Sequence, residues 1–336
     1  MVEKTMQGSN LCSLPYWDGT RFHIDIDCNL LDLLNYEMQA LSSIYGRPSS
    51  FWELPDELWR GSMMCLLPAW CGDVGQLELR DLDRIANISG STELISEFHA
   101  FLKLIDHEGL LDNISINDLA ERNWCVMDMG SLMDFLLVRA FTDFSRADGK
   151  FQIMEIGGGF GRLAEFFLRV MHTKIQYINV DAVPVSLMYS YHYLRKMLPA
   201  KTVTIVTSES PVLEDTDILI VPSWHLNKLQ NLKADLSINV ESMQEMDQHL
   251  VDYYIDYIDQ ITNLGGLIYL VNSRDYKFKG EWRFPSHWCC LLRHNTPRSW
   301  TINHPHEIFI KSMKDSDYCR QNYLRNAFFI REIRRC

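Results

Sequence analysis

Residues 151–161, FQIMEIGGGFG, place four of the chain's 17 glycines within five positions, directly after a six-residue run of β-rich, mostly apolar side chains. A helical pattern follows, from Arg162 to about His172. A strand that runs through a glycine turn into a helix is a strong constraint on the fold. The turn takes backbone conformations closed to most side chains, and the helix behind it points free N–H groups at whatever lies against the bare backbone. The expected structure here is a ligand-cradling turn.

The rest of the second half of the chain agrees with that start. After IQYINV (175–180) and a helical stretch from Pro184 to about Leu198 come TVTIV, DILIV, DLSINV and GLIYLV. Strands alternating with helices predict an α/β fold, a mostly parallel Rossmann-like sheet with helices on both faces. Three strand candidates, at 202–206, 217–222 and 234–240, fall where a standard unit needs two. The last reads as the fourth core strand, because a helical stripe follows it: Met243, Met246, Leu250, Tyr254, Tyr257 and Ile261, ending at Gly265–Gly266. Which of the other two is the third core strand stays open. EIFIKSM and NAFFIREI supply antiparallel edge strands or terminal helices. From Asp27 to about Asp148 the spacing is helical instead, so the chain divides into a mainly helical N-terminal extension (1–145) and an α/β domain (146–336). The extension would serve as a lid, a substrate surface or a dimer contact. Its aromatic loop SSIYGRPSSFWELPDELW can close over a site or join two copies in a homodimer.

Charge and cysteine content narrow the partners. With 32 basic and 44 acidic residues the net charge is -12, which repels phosphate polymers and argues against nucleic acid. A neutral or cationic small molecule fits better. No apolar run reaches the ~18 residues of a membrane span, and the first residues lack the basic and apolar pattern of a secretory signal, so a cytoplasmic protein is expected. Nine scattered cysteines without a CxxC pair fit neither a disulfide framework nor a zinc site. NHPHE (303–307) lacks further ligands at a recognisable spacing, and no metal is expected.

The second chemical signal is Asp181, at the end of IQYINVD and 20 residues after Gly161. A carboxylate there can accept both hydroxyls of a ribose; it can equally cap the helix that begins near Pro184. The glycines fit G-x-G-x-x-G poorly, since Arg162 occupies the last position. They fit E-x-G-x-G-x-G through Glu155, Gly157, Gly159 and Gly161. That spacing resembles the first motif of class I S-adenosylmethionine-dependent methyltransferases. The resemblance implies S-adenosylmethionine as cofactor, with the glycines beside its methionine and ribose portion, Asp181 on the ribose and Glu155 organising the methionine end. Together, EIGGGFGRLAE, DLSINVESMQEMD and GGLIYLVNSRD are similar to a bacterial group of sugar O-methyltransferases over roughly residues 130–290.

Methyl transfer is an in-line displacement, so alignment of the acceptor dominates and a base is needed only when the acceptor loses a proton. In this fold the acceptor lies at the carboxyl ends of the fourth and fifth strands. That singles out Asn239, Glu241, Ser242 and Glu245, then Asn272, Ser273, Arg274 and Asp275. Glu241 and Glu245, four apart at a predicted helix start, can share a proton or bind a cation from one face. If they grip the substrate, an amine or guanidinium acceptor and N-methylation become more attractive than a sugar; the first expectation is O-methylation of a sugar-like or other hydroxyl acceptor, with the N-acceptor as the alternative. His225 is a candidate base and Trp224 a cover for adenine; His287, His304 and His306 are weaker candidates. Gly158 fills an x position and is expected to accept alanine better than Gly157 or Gly159.

Overall fold

The computed structural model describes residues 28–41, scattered positions between 131 and 144, and 149–312 apart from 172–173, 211–214, 274–281 and 295–303. The loop at 42–59, the helical pattern at 91–111, Arg274, Asp275 and the run 326–333 lie outside the described residues.

Helix α1 (Cys28–Leu41) precedes an alternating series: β1 (Phe151–Ile156), α2 (Arg162–Val170), β2 (Ile175–Asp181), α3 (Pro184–Met197), β3 (Val203–Ile205), β4 (Ile218–Pro222), β5 (Ala234–Val240), α4 (Gln248–Ile261), β6 (Thr262–Val271), β7 (Trp288–His294) and β8 (His306–Lys311). The strands form one eight-stranded sheet in the order β3-β4-β2-β1-β5-β6-β8-β7. From β3 to β6 neighbouring strands are parallel, whereas β8 is antiparallel to both β6 and β7. Every β2 residue is buried, as expected of a parallel strand covered on both faces.

The open strand assignment resolves simply. β4 pairs with β2, so DILIV is the third core strand, and the three-residue β3 from TVTIV is added outside it as a short edge. DLSINV lies beside β1, the position expected of the fourth core strand. EIFIKSM supplies β8, and the unanticipated β7 closes the far edge.

Residues alternate between the faces. Ile153, Tyr177, Ile220 and Tyr269 face a layer made by α1, α2, α3 and helical residues near 135, with Leu34, Phe135, Phe166, Phe167 and Leu187 in the shared core. Met154, Ile178, Leu219 and Ile268 face α4, which contributes Val251, Tyr254, Ile255 and Ile258. The described pieces of the N-terminal extension therefore pack into the core of the sheet itself.

The helix predicted across 243–264 is shorter at both ends. Met243–Glu245 form a single 3₁₀ turn, and Met246 and Asp247 are extended, with ψ of 151° at each, so α4 cannot start before Gln248. At the other end Thr262 Oγ1 donates to Ile258 O at 2.6 Å, and the chain enters β6 directly, before the two glycines.

Candidate functional site

The carboxyl ends of β1, β2, β4, β5 and β6 lie along one edge of the sheet, where open α/β folds bind ligands. β1 ends in the glycine turn. Gly157 and Gly159 adopt φ of 71° and 53°, and Gly161, at φ 87°, forms the N-cap of α2. A Cβ on Gly157 would fall 1.9 Å from Ser242 Oγ; at Gly159, nothing among the described residues lies within 4 Å. Gly157 is thus excluded from bearing a side chain by packing, whereas Gly159 borders space that none of the described residues fills.

Gly158 reverses the expectation. A Cβ there would sit 1.8 Å from Asn179 Oδ1 and 2.8 Å from Glu155 Oε2, so alanine is excluded by the protein interior beneath the turn. Asn179 is fully buried on β2 and donates to Ser190 Oγ at 2.7 Å, which keeps it from swinging away. An amide in the middle of a strand buried along its whole length was the available signal.

Asp181 joins the glycine turn to the start of the next helix. Its Oδ2 accepts the Gly159 N–H at 3.0 Å and its Oδ1 the Val183 N–H at 2.8 Å, at the N-cap of α3. The carboxylate therefore pins the turn and the next helix while keeping lone pairs for further donors. Burial pushes its pKa up to about 6, against the N–H bonds from Val183 and Gly159 that hold it down. Glu155 lies under the turn, accepting the Tyr177 hydroxyl at 2.8 Å. Burial lifts it to about 7, opposed by that bond and by Arg162, and assisted by Asp134 and Asp181.

Trp224 and His225 follow β4 in a 3₁₀ helix, Ser223–Leu229, and both are buried. Their ring N–H groups are turned to Glu37 of α1: Trp224 Nε1 donates to its Oε2 at 3.2 Å, and His225 Nε2 lies 2.7 Å from the same oxygen. Glu37 Oε1 accepts the Ser208 N–H at 2.8 Å. Burial raises the Glu37 pKa, but the donors from Ser208, His225 and Trp224 outweigh it and leave it lowered. Sequence reasoning passed over Glu37. Its signal was an acid three residues beyond Leu34 in an otherwise apolar stripe.

After β5 and β6 the polar side chains close on one another. Asn239 Nδ2 donates to Ile156 O and to Ser242 Oγ, each at 2.7 Å, and its Oδ1 accepts from Met243 N and Asn272 Nδ2. Asn272 Oδ1 accepts the Gln244 N–H at 3.0 Å, and Gln244 Oε1 accepts that of Ser273 at 2.6 Å. Glu241 takes a left-handed conformation, φ 60°, and donates its N–H to Val271 O at 2.7 Å. Glu245 ends the 3₁₀ turn, and both acids are half-buried. They lie on either side of that turn and not on one face of an α-helix, because α4 starts later.

The histidines separate. His287 is bound to Asp259, 2.6 Å away, near the C-terminus of α4, away from this edge. His306 pairs with Val271 at the site end of β6; its Nδ1 is 2.7 Å from the Tyr269 hydroxyl, which donates to buried Asp134 at 2.6 Å. Among the described residues no group of three or more His, Cys, Asp or Glu is placed to hold a metal, and no helix is long and apolar enough to cross a membrane.

Strand order, two-sided helix cover and a glycine turn opposed by an acid define a doubly wound, Rossmann-like α/β protein. No protein-family model and no curated protein matches the chain. Among solved structures it is similar to an O-methyltransferase from Bacillus cereus in complex with SAH, at 13% identity and a TM-score of 0.39, covering 65% of this chain and 91% of that one. It is also similar to TrmN from Thermus thermophilus (13% identity, TM-score 0.37, 52% of this chain and 48% of that one). TehB from Haemophilus influenzae follows, at 13% identity, a TM-score of 0.33, 52% of this chain and 62% of the other. The chain thus spans less than two thirds of the latter two.

Proposed function

We propose that this protein is an S-adenosylmethionine-dependent methyltransferase acting on a small polar molecule, by O-methylation of a sugar-like or other hydroxyl acceptor. The observation that supports it most is the cradle at the ends of β1 and β2. There Gly159 borders free space with its N–H held by Asp181, and the N-terminus of α2 follows at Gly161. These residues suit a ligand with a ribose and a polar amino-acid tail. Asp181 would accept the ribose hydroxyls, and the turn and the α2 N-terminus would receive the tail's carboxylate. Glu155, under the turn, would support the amino end. Bound there, the cofactor supplies a methyl group on a sulfonium.

On the acceptor side, Glu245 is the proposed base, with Glu241 beside it and Asn239, Ser242 and Asn272 shaping the loops. His225 is a poorer base in this reading because its ring is buried against Glu37. The left-handed Glu241 at the end of β5, in a protein of net charge -12, favours a second reading, N-methylation of a cationic amine or guanidine.

The test is a screen of sugars, phenols, amines and amino acids with labelled S-adenosylmethionine. Transfer to a hydroxyl supports the first reading and transfer to nitrogen the second; cofactor binding without transfer to any acceptor would indicate a non-catalytic binding protein. Glu245→Gln is expected to lower turnover with cofactor affinity unchanged.

A further inference from the structure

The 3₁₀ helix after β4 is held from both sides. On one face, Glu37 takes the Trp224 and His225 ring N–H groups and also the Ser208 N–H of the loop after β3. On the other, Tyr254 of α4 bonds Ser223, and Tyr257 donates to Leu226 O at 3.0 Å. Tyr254 is also close enough to Asp181 to feel its charge, which adds to burial in pushing the phenol up to about 12. Lys228 Nζ ties the 3₁₀ helix to the loop after β3 through Ser208 O at 2.9 Å.

This clamped segment starts beside the ribose acid. Asp181 and Pro222 are register partners across the β2–β4 ladder, about 4.8 Å apart as neighbouring strands are, and Ser223 comes next. β2 lies between β1, which carries the glycine turn, and β4, so in the cofactor reading above a base carried by a ribose on Asp181 would be accommodated on the β4 side, at that segment. A buried carboxylate is costly, and apolar side chains of similar volume would pack α1 against the sheet as well or better. Glu37 is instead spent on fixing two adjacent rings and a neighbouring loop, which suggests orientation as its task.

We infer that Glu37 is a positioning residue for the base end of the cofactor site, contributed by the N-terminal extension and acting through Trp224 and His225. The inference rests on the cofactor reading above. It assigns the extension a share in cofactor binding.

The experiment is calorimetric titration of the full chain with S-adenosylhomocysteine, comparing wild type with Glu37→Gln, His225→Gln, the double variant and Leu34→Ala. Leu34 is a fully buried core residue on the same helix. Glu37→Gln and His225→Gln should each weaken binding about tenfold, and the double variant no further than about twofold beyond the weaker single, because one contact is lost in all three. Leu34→Ala should lower the melting temperature more than Glu37→Gln while keeping affinity within about twofold of wild type. Wild-type affinity in Glu37→Gln, or affinity losses in both α1 variants that simply follow their melting temperatures, would overturn the inference. Failure of wild type itself to bind would instead remove the cofactor reading, and this inference with it.

Discussion

The two halves of the sheet's carboxyl edge are built from different materials. At β1 and β2 the site is mostly backbone: a turn with positive φ at Gly157 and Gly159, space beside Gly159 that none of the described residues fills, and a single side-chain carboxylate that accepts two N–H groups. At β5 and β6 they are side-chain amides, and Asn239, Asn272 and Gln244 are engaged with one another and with nearby backbone. A backbone cradle leaves a recognisable spacing in the sequence because only glycine can build it. A ring of amides gives no comparable pattern, and the substrate it would select stays hidden.

Asp181→Ala separates the halves most sharply. It removes the acceptor for both N–H groups and the one proposed for a ribose, so S-adenosylhomocysteine affinity is expected to fall by about 100-fold or more, roughly 2.7 kcal/mol. Calorimetry measures this directly; unchanged affinity would remove the ribose role and leave Asp181 as a helix and turn anchor only.

Next are two neighbouring glycines with opposite expectations. Gly159→Ala puts a methyl into the space a ligand would fill, so affinity should drop about tenfold while stability changes by about 1 kcal/mol, the cost of a left-handed alanine. Gly158→Ala drives a methyl into Asn179, so its main effect is on folding, about 1–3 kcal/mol by urea unfolding, as for an overpacked core. Combining it with Asn179→Ala should recover part of that loss. Equal stability of the two glycine variants would show that the turn shifts freely over Asn179.

The position of Gly158 marks where sequence reading stops. The strand, turn and helix at 151–170 were legible because period and glycine spacing are local properties. So was Asp181, which ends the next strand at the expected distance from the glycines. The space under Gly158 is set by Asn179, and the fate of Trp224 and His225 by Glu37, 187 and 188 residues away. No periodicity reports contacts of that range. The overlong α4 prediction failed for a related reason: the apolar stripe continues through Met243 and Met246, whose side chains pack against the core from a 3₁₀ turn and an extended residue.

A smaller effect divides the halves by pH. Asp181 is raised from 3.8 to about 6, and Glu155 from 4.5 to about 7. An acid with a raised folded pKa favours the folded state below its unfolded value, and that contribution is lost as pH rises through the folded value. These two groups should therefore make the ligand-free protein less stable between about pH 4 and 7 as pH rises. Binding should run the other way, since the proposed ribose contact needs the ionised Asp181: affinity for S-adenosylhomocysteine is expected to fall about tenfold from pH 7 to pH 5. Parallel trends in melting temperature and affinity would contradict this assignment.

The smallest expected effect on the cofactor comes from the closed half. Asn272→Ala leaves the Gln244 N–H and Asn239 Oδ1 each without the bond that Asn272 supplied, in a buried setting, so unfolding free energy should drop by about 1–3 kcal/mol. Among the described residues Asn272 bonds Gln244 and Asn239 but not the cradle at β1 and β2, to which it is linked through Asn239 and Ile156 O. S-adenosylhomocysteine affinity should accordingly stay within about twofold of wild type, as independent sites do. An affinity loss as large as that of Gly159→Ala would mean that the amide ring sets the shape of the glycine turn, through Ser242 against Gly157, and that the two halves of the edge act as one site.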